Sequence, residues 1–205
     1  MPLRLKLALK GGVIAMLVSA GGLAAYLRAG RTQTPQPTLV VGLQQNVSME
    51  METELLSAMH SADQIEIRAG ELARSRGTIG EIRNFGVLLV RDHSDADRRI
   101  QSVAKQQHIR LTEWLAKTPE EQHNIEMLKQ ALAELESLDG PKFDSTFIEF
   151  TDDIQHMLRQ TLQRGTLQVK PSPVKTLISK EIPILQQHEF LCSWCRDHCL
   201  NLKLR

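Results

Sequence analysis

From Ser48 onward the apolar residues recur every three or four positions, and no convincing run alternates with period two. A chain patterned this way buries stripes of helices rather than faces of sheets. Met51, Leu55, Met59, Ala62, Ala69 and Ala73 form the first stripe and predict a helix over 48–76 that Gly77 closes. Glu50, Glu52 and Glu54 suit its positive N-terminal end. Thr78, with Glu81 three residues on, has the capping-box pattern and opens a second helix on Ile82, Phe85, Leu89, His93, Ala96, Ile100 and Val103. Thr118, Pro119 and Glu121 repeat that signal and start a shorter third helix, with Ile125, Leu128, Leu132 and Leu135 inward. Asp139, Gly140 and Pro141 mark a turn. A fourth helix carries Phe143, Phe147, Phe150, Ile154, Leu158 and Thr161 as far as Gly165, and Ser172–Pro173 open a fifth that reaches about Leu202. The short links predict two antiparallel hairpins with the third helix in the crossover: an all-α four-helix bundle over residues 48–205.

The chain's charge separates it into two unlike parts. Its 205 residues carry 25 Lys and Arg against 24 Asp and Glu. Residues 1–31 hold five of the bases (Arg4, Lys6, Lys10, Arg28, Arg31) and no acid, so residues 32–205 carry 20 bases against 24 acids. A mildly acidic body with 4% aromatic residues lacks the basic face and stacking platforms of a nucleic-acid reader. Between Lys10 and Arg28 lie 17 uncharged, mostly apolar residues, Gly11–Leu27. That block reads as an export signal or an uncleaved membrane anchor, with the length of a short span. Residues 32–47 then read as a linker, since Pro35 and Pro37 push their neighbours out of the helical region, and Leu39–Leu43 could be a short strand with no partner. Export places the body on the periplasmic side of the inner membrane, or free in the periplasm or at the outer membrane if the leader is cleaved.

Three titratable residues stand on the core stripes where apolar groups are expected: Glu66 among Met59, Ala62, Ala69 and Ala73; His93 on the second helix; and His188 on the fifth, two turns after Glu181. A carboxylate and two imidazoles from different helices of a bundle suit a divalent transition metal such as zinc, iron or manganese. The alternative is that each is a core polar group hydrogen-bonded across helices. The other unusual feature is Cys192-Ser-Trp-Cys195-Arg-Asp-His198-Cys199, whose three sulfurs fall on the His188 stripe. It reads as a metal clip with His188 or His198, as a Cys-x-x-Cys redox pair of Cys192 and Cys195, or as small core residues, one structural disulfide included. An odd thiol in an oxidising compartment also allows a bridge to a second copy or a protein partner.

Ser61–Lys105, the Gly140-x-x-Phe143-Asp144 element and Pro183-x-Leu185-x-x-His188 resemble a bacterial family of exported ferritin-like helical domains of unknown function, domain of unknown function 4142, often described as predicted outer-membrane proteins. The similarity spans about residues 55–195. Asp92-His93-Ser94 is its most specific element, and on it Glu66, Asp92, His93, Asp144 and His188 occupy the family's recurrent polar positions. The family pattern places a His 12 residues after Phe143, where this chain has Gln155, and the imidazole falls instead at His156. One residue turns a side chain by about 100° on a helix, which points His156 away from the core, beside Glu149, Asp152 and Asp153. The ferritin-like resemblance does not extend to di-iron chemistry. Val90 and Leu185 stand three residues before His93 and His188, where Glu would be required. The sequence therefore indicates an exported, membrane-tethered binding or interaction module with no assignable reaction, with a metal-binding protein and a thiol protein as the alternatives.

Overall fold

A computed structural model of the chain describes residues 37–200 apart from 115 and 117, with side chains described from Ser48. It holds five α-helices and, among the described residues, no strand: α1 Pro37–Arg76, α2 Gly80–Gln106, α3 Pro119–Ser137, α4 Gly140–Thr166 and α5 Pro173–Trp194, followed by a π-helix at Cys195–Leu200. Contacts divide the chain into Met1–Val47 and Ser48–Arg205, and the core belongs to the second unit.

Two boundaries differ from the sequence expectation. The first helix begins at Pro37 rather than Ser48, so Leu39–Leu43 is helical and not a strand. Proline is compatible with a first helical position, and the β preference of Val40–Val41 is too weak to interrupt a continuous helix. The fifth helix ends at Trp194, and the last turn, which carries Cys195 and Cys199, widens to π geometry. Residues 1–31, on which the signal or anchor reading falls, and residues 32–36 lie outside the described residues. No helix among the described residues is long and apolar enough to cross a membrane.

The stripes bury as their spacing demands. Leu55, Met59, Ala62, Ala69 and Ala73 of α1, Ile82, Phe85, Leu89 and Ile100 of α2, Phe143, Phe147, Ile154 and Leu158 of α4, and Val174, Leu177 and Leu185 of α5 belong to one core. Leu128 and Leu135 attach α3 to it. The α1–α2 hairpin closes tightly because two glycines face each other. A Cβ on Gly86 would stand 2.6 Å from the Gly70 carbonyl oxygen and 2.7 Å from the Arg74 amide nitrogen. Only a hydrogen there lets the two backbones touch.

Helix starts are set by side chains. The Thr118 hydroxyl accepts from Glu121 N at 3.1 Å and the Ser172 hydroxyl from Lys175 N at 3.1 Å, each with Pro at the first helical position. At the start of α2 the expected box gives way to a tertiary bond. Thr78 turns its amide and hydroxyl to the buried Asp144 carboxylate of α4, which ties the α1–α2 turn to the opposite hairpin. After α2, His108 takes φ +55° and closes the helix with His108 N to Lys105 O and Ile109 N to Ala104 O, a Schellman pair. The connection then runs along α1. Ser57 and Ser61 accept from the amides of Thr112 and Trp114 at 3.2 and 3.0 Å. Four helical residues advance about 6 Å and two extended residues about 6.6 Å, so the spacings match.

Candidate functional site

Midway along the core the apolar layers are interrupted by side chains from all four long helices: Asp63 and Glu66 from α1, His93 from α2, Gln155 from α4 and His188 from α5. All five are at most 3% exposed. His93 Nδ1 lies 2.7 Å from Asp63 Oδ1, and His188 Nε2 lies 3.1 Å from Asp92 Oδ2 at the edge of the core. The inner nitrogens of the two rings, His93 Nε2 and His188 Nδ1, both face the Gln155 side-chain nitrogen, at 2.9 and 3.2 Å. The ring centroids are 5.2 Å apart.

The direction of each bond in this chain follows from one end. Burial raises the Asp92 carboxyl, but hydrogen bonds from Arg91 and His188 outweigh it and hold the group below its ordinary value, as a carboxylate. It therefore accepts from His188 Nε2–H. Burial pushes both imidazoles down to about 4, so each ring is neutral, with one N–H and one lone pair. His188 then has its lone pair on Nδ1, where the Gln155 amide donates. The second hydrogen of that amide goes to the lone pair on His93 Nε2, and His93 donates through Nδ1 to Asp63 Oδ1. Two carboxyl groups, Asp92 ionised and Asp63 raised by burial, thus orient two imidazoles so that their lone pairs aim at one point, and an amide nitrogen stands there.

Not every group in the layer is satisfied. Among the described residues the buried side-chain polar atoms without a hydrogen-bond partner are Asp63 Oδ2, both oxygens of Glu66, Thr151 Oγ1 and Gln155 Oε1. All are oxygens, and all come from adjacent turns of α1 and α4 that reach the same layer. An ionised carboxylate left unpaired there would be among the costliest groups a core can hold. Burial, then the charge of Asp63, pushes the Glu66 carboxyl well above its ordinary value, with the Gln155 amide acting in the opposite direction. Burial, with Asp97 and Glu181 nearby, does the same for Asp63. A proton on Asp63 Oδ2 leaves Oδ1 free to accept from His93.

Charged pairs flank the layer. Asp97 accepts from Gln64 and Gln101 and lies 2.5 Å from His60 Nδ1. Arg99 donates through two nitrogens to Glu181 at 2.9 and 3.1 Å. Beside Glu181 and His93 is a cavity of about 10 Å³ lined also by Met59, Asp63, Asp92 and Leu185, room for about one water.

The sequence candidates fall as follows. Glu66, His93 and His188 are brought into one layer. No group of three His, Cys, Asp or Glu side chains among the described residues is arranged to hold an ion as it stands, and the point that the imidazoles share is filled by Gln155. Asp63 and Gln155 are the members that residue type did not single out. Asp63 was legible as the position one turn after Met59. A neutral Gln gives no titratable signal, and only the family pattern drew notice to it. Asp144 serves the α1–α2 turn instead, and His156 is exposed, as its one-residue offset predicts, and pairs with Glu189 of α5.

Cys192, Cys195 and Cys199 are all buried and none is bonded to another. Burial raises all three thiols, Cys195 up to about 12, and Cys195 and Cys199 share a hydrogen bond. A thiol so far above neutral pH carries little thiolate. Trp194 stacks on His198 at 5.2 Å beside the cluster.

A helical domain with a buried layer of two carboxylates, two imidazoles and a bridging amide belongs to the class of all-α proteins that keep a polar centre inside an apolar core. Residues 41–190 match the family described as Domain of unknown function (DUF4142), and the chain belongs to that family. No curated protein and no solved structure matches it.

Proposed function

We propose that the chain is an exported ferritin-like four-helix bundle, tethered on the periplasmic side of the inner membrane by its N-terminal segment, that works as a non-enzymatic binding module. Its ligand is a divalent transition-metal ion held by Glu66, His93 and His188. Export and tethering are supported by the basic, apolar, basic pattern of residues 1–31. The metal reading is carried by one observation: His93 Nε2 and His188 Nδ1 converge on one point, beside a buried Glu66 whose two oxygens have no partner. Asp63 and Asp92 support it as well, because metal-bound imidazoles commonly donate their other N–H to a carboxylate that fixes ring and tautomer. Two imidazoles and a carboxylate suit zinc, iron(II) or manganese, and a Lewis acid is the chemistry such an ion would supply there.

Metal analysis of the purified full-length chain, beside His93→Ala and His188→Ala, tests this reading. One ion per chain in the parent and a loss in both variants is the expected result. No ion after zinc, cobalt, iron(II) and manganese have each been offered, or an ion retained by both variants, overturns it.

A further inference from the structure

We infer that Gln155 is the gate of this centre: its side-chain amide occupies the place a cation would take between His93 and His188, so that loading the core requires the amide to swing out and its return expels the ion. The inference rests on the metal reading above and adds how the site is regulated.

The geometry is specific. An amide –NH2 carries two donors, and here both are spent on the two lone pairs that a metal would need. As long as the amide is in place, neither imidazole can ligate. The other end of the same side chain is held by nothing, since Gln155 Oε1 is buried without a partner. A swing therefore gives up the two hydrogen bonds to neutral rings and the amide's interaction with Glu66, and it releases an oxygen that the resting pose leaves unpaired. Glu66 sits beside the amide, which lowers its carboxyl against the upward push of burial. Once the amide has left, a cation can take the two lone pairs and the Glu66 carboxylate together, in competition with water. The 10 Å³ cavity on the His93 and Asp92 side reaches the same layer, bordered by Glu181. The amide acts as a tethered competitor, so the site binds more weakly than its ligands alone would bind, which suits a protein that must give its ion up.

Cobalt(II) titration of the full-length chain, Gln155→Ala and Gln155→Glu, read by visible absorption and by the thermal shift on metal addition, tests this. Gln155→Ala removes the competitor, and Gln155→Glu keeps its size while replacing the donor with a ligand. Both should bind cobalt(II) about ten-fold or more tighter than the parent. In the parent, the Gln155 side-chain NH2 resonances should shift on zinc(II) addition. Parent binding that neither variant tightens, or Gln155 resonances that do not move as the parent loads, overturns the gate and leaves the metal reading standing. Binding by the variants but not by the parent overturns both, because an amide that never leaves is a plug and not a gate. No binding by any of the three removes both.

Discussion

His93 and His188 face each other across the core with ring centroids 5.2 Å apart, although 95 positions separate them in the chain. Each ring is held from outside by a carboxylate, Asp63 at 2.7 Å and Asp92 at 3.1 Å. The outer bonds set where the inner lone pairs point. Asp63→Asn and Asp92→Asn keep the shape of each contact and weaken the acceptor. Each should lower metal affinity about 10- to 100-fold while leaving the fold intact, as measured by competition with a chromophoric chelator and by circular dichroism. Unchanged affinity in both would reduce the carboxylates to packing partners.

Glu66 costs the metal-free protein stability. Its carboxyl is buried with neither oxygen paired, so Glu66→Leu, which approximates its volume without polar atoms, should stabilise the apo protein by about 1–4 kcal/mol. It should also abolish the stabilisation gained on adding zinc(II). Urea denaturation with and without the metal measures both. A destabilised apo variant would mean that Glu66 has a partner role in the resting core.

Asp153 gives a pH dependence of the opposite kind from a surface carboxylate. Burial, then the charges of Asp152 and Glu149, raises it to about 7, with Arg196 opposing. Between about pH 4 and 7 the folded chain keeps a proton that the unfolded chain has released, so Asp153 subtracts stability as the pH rises through that window. Asp153→Asn should match the parent near pH 4 and exceed it above pH 7. Denaturation midpoints at pH 4, 5.5 and 7.5 check this, and parallel curves for the two proteins would contradict it.

The backbone contact between Gly70 and Gly86 leaves no room for a methyl group. Gly86→Ala meets a carbonyl oxygen and an amide nitrogen, neither of which is a flexible side-chain end. The α1–α2 hairpin must part slightly, at a cost of about 1–3 kcal/mol. Gly80→Ala, which meets nothing within 4 Å, is the control that should change stability little.

These predictions also mark which parts of the molecule were legible in its sequence. A 3.6-residue period writes burial directly into the order of residues, which is why Phe85, Leu89, Phe147, Leu185 and even His93, His188 and Glu66 were placed inward correctly. The caps at Thr118 and Ser172 were legible because they are local, three residues from donor to acceptor. Thr78 was read as half of a local box and turned out to serve Asp144, 66 residues away, because a buried partner from another helix outcompeted it. Gln155 had no signature of its own. Its place between two imidazoles depends on the relative register of α2, α4 and α5, and no spacing within one helix contains that. The widening to a π-helix at Cys195–Leu200 was equally invisible, since the cysteines fit an α stripe as well.

X-ray absorption at the zinc edge of the loaded full-length chain tests the central claim most directly. A site of Glu66, His93 and His188 predicts a shell of nitrogen and oxygen at about 2.0–2.1 Å with the outer-shell scattering of two imidazoles, lost in His188→Ala. A shell with sulfur at about 2.3 Å would place the ion on Cys192, Cys195 and Cys199 instead and contradict the account.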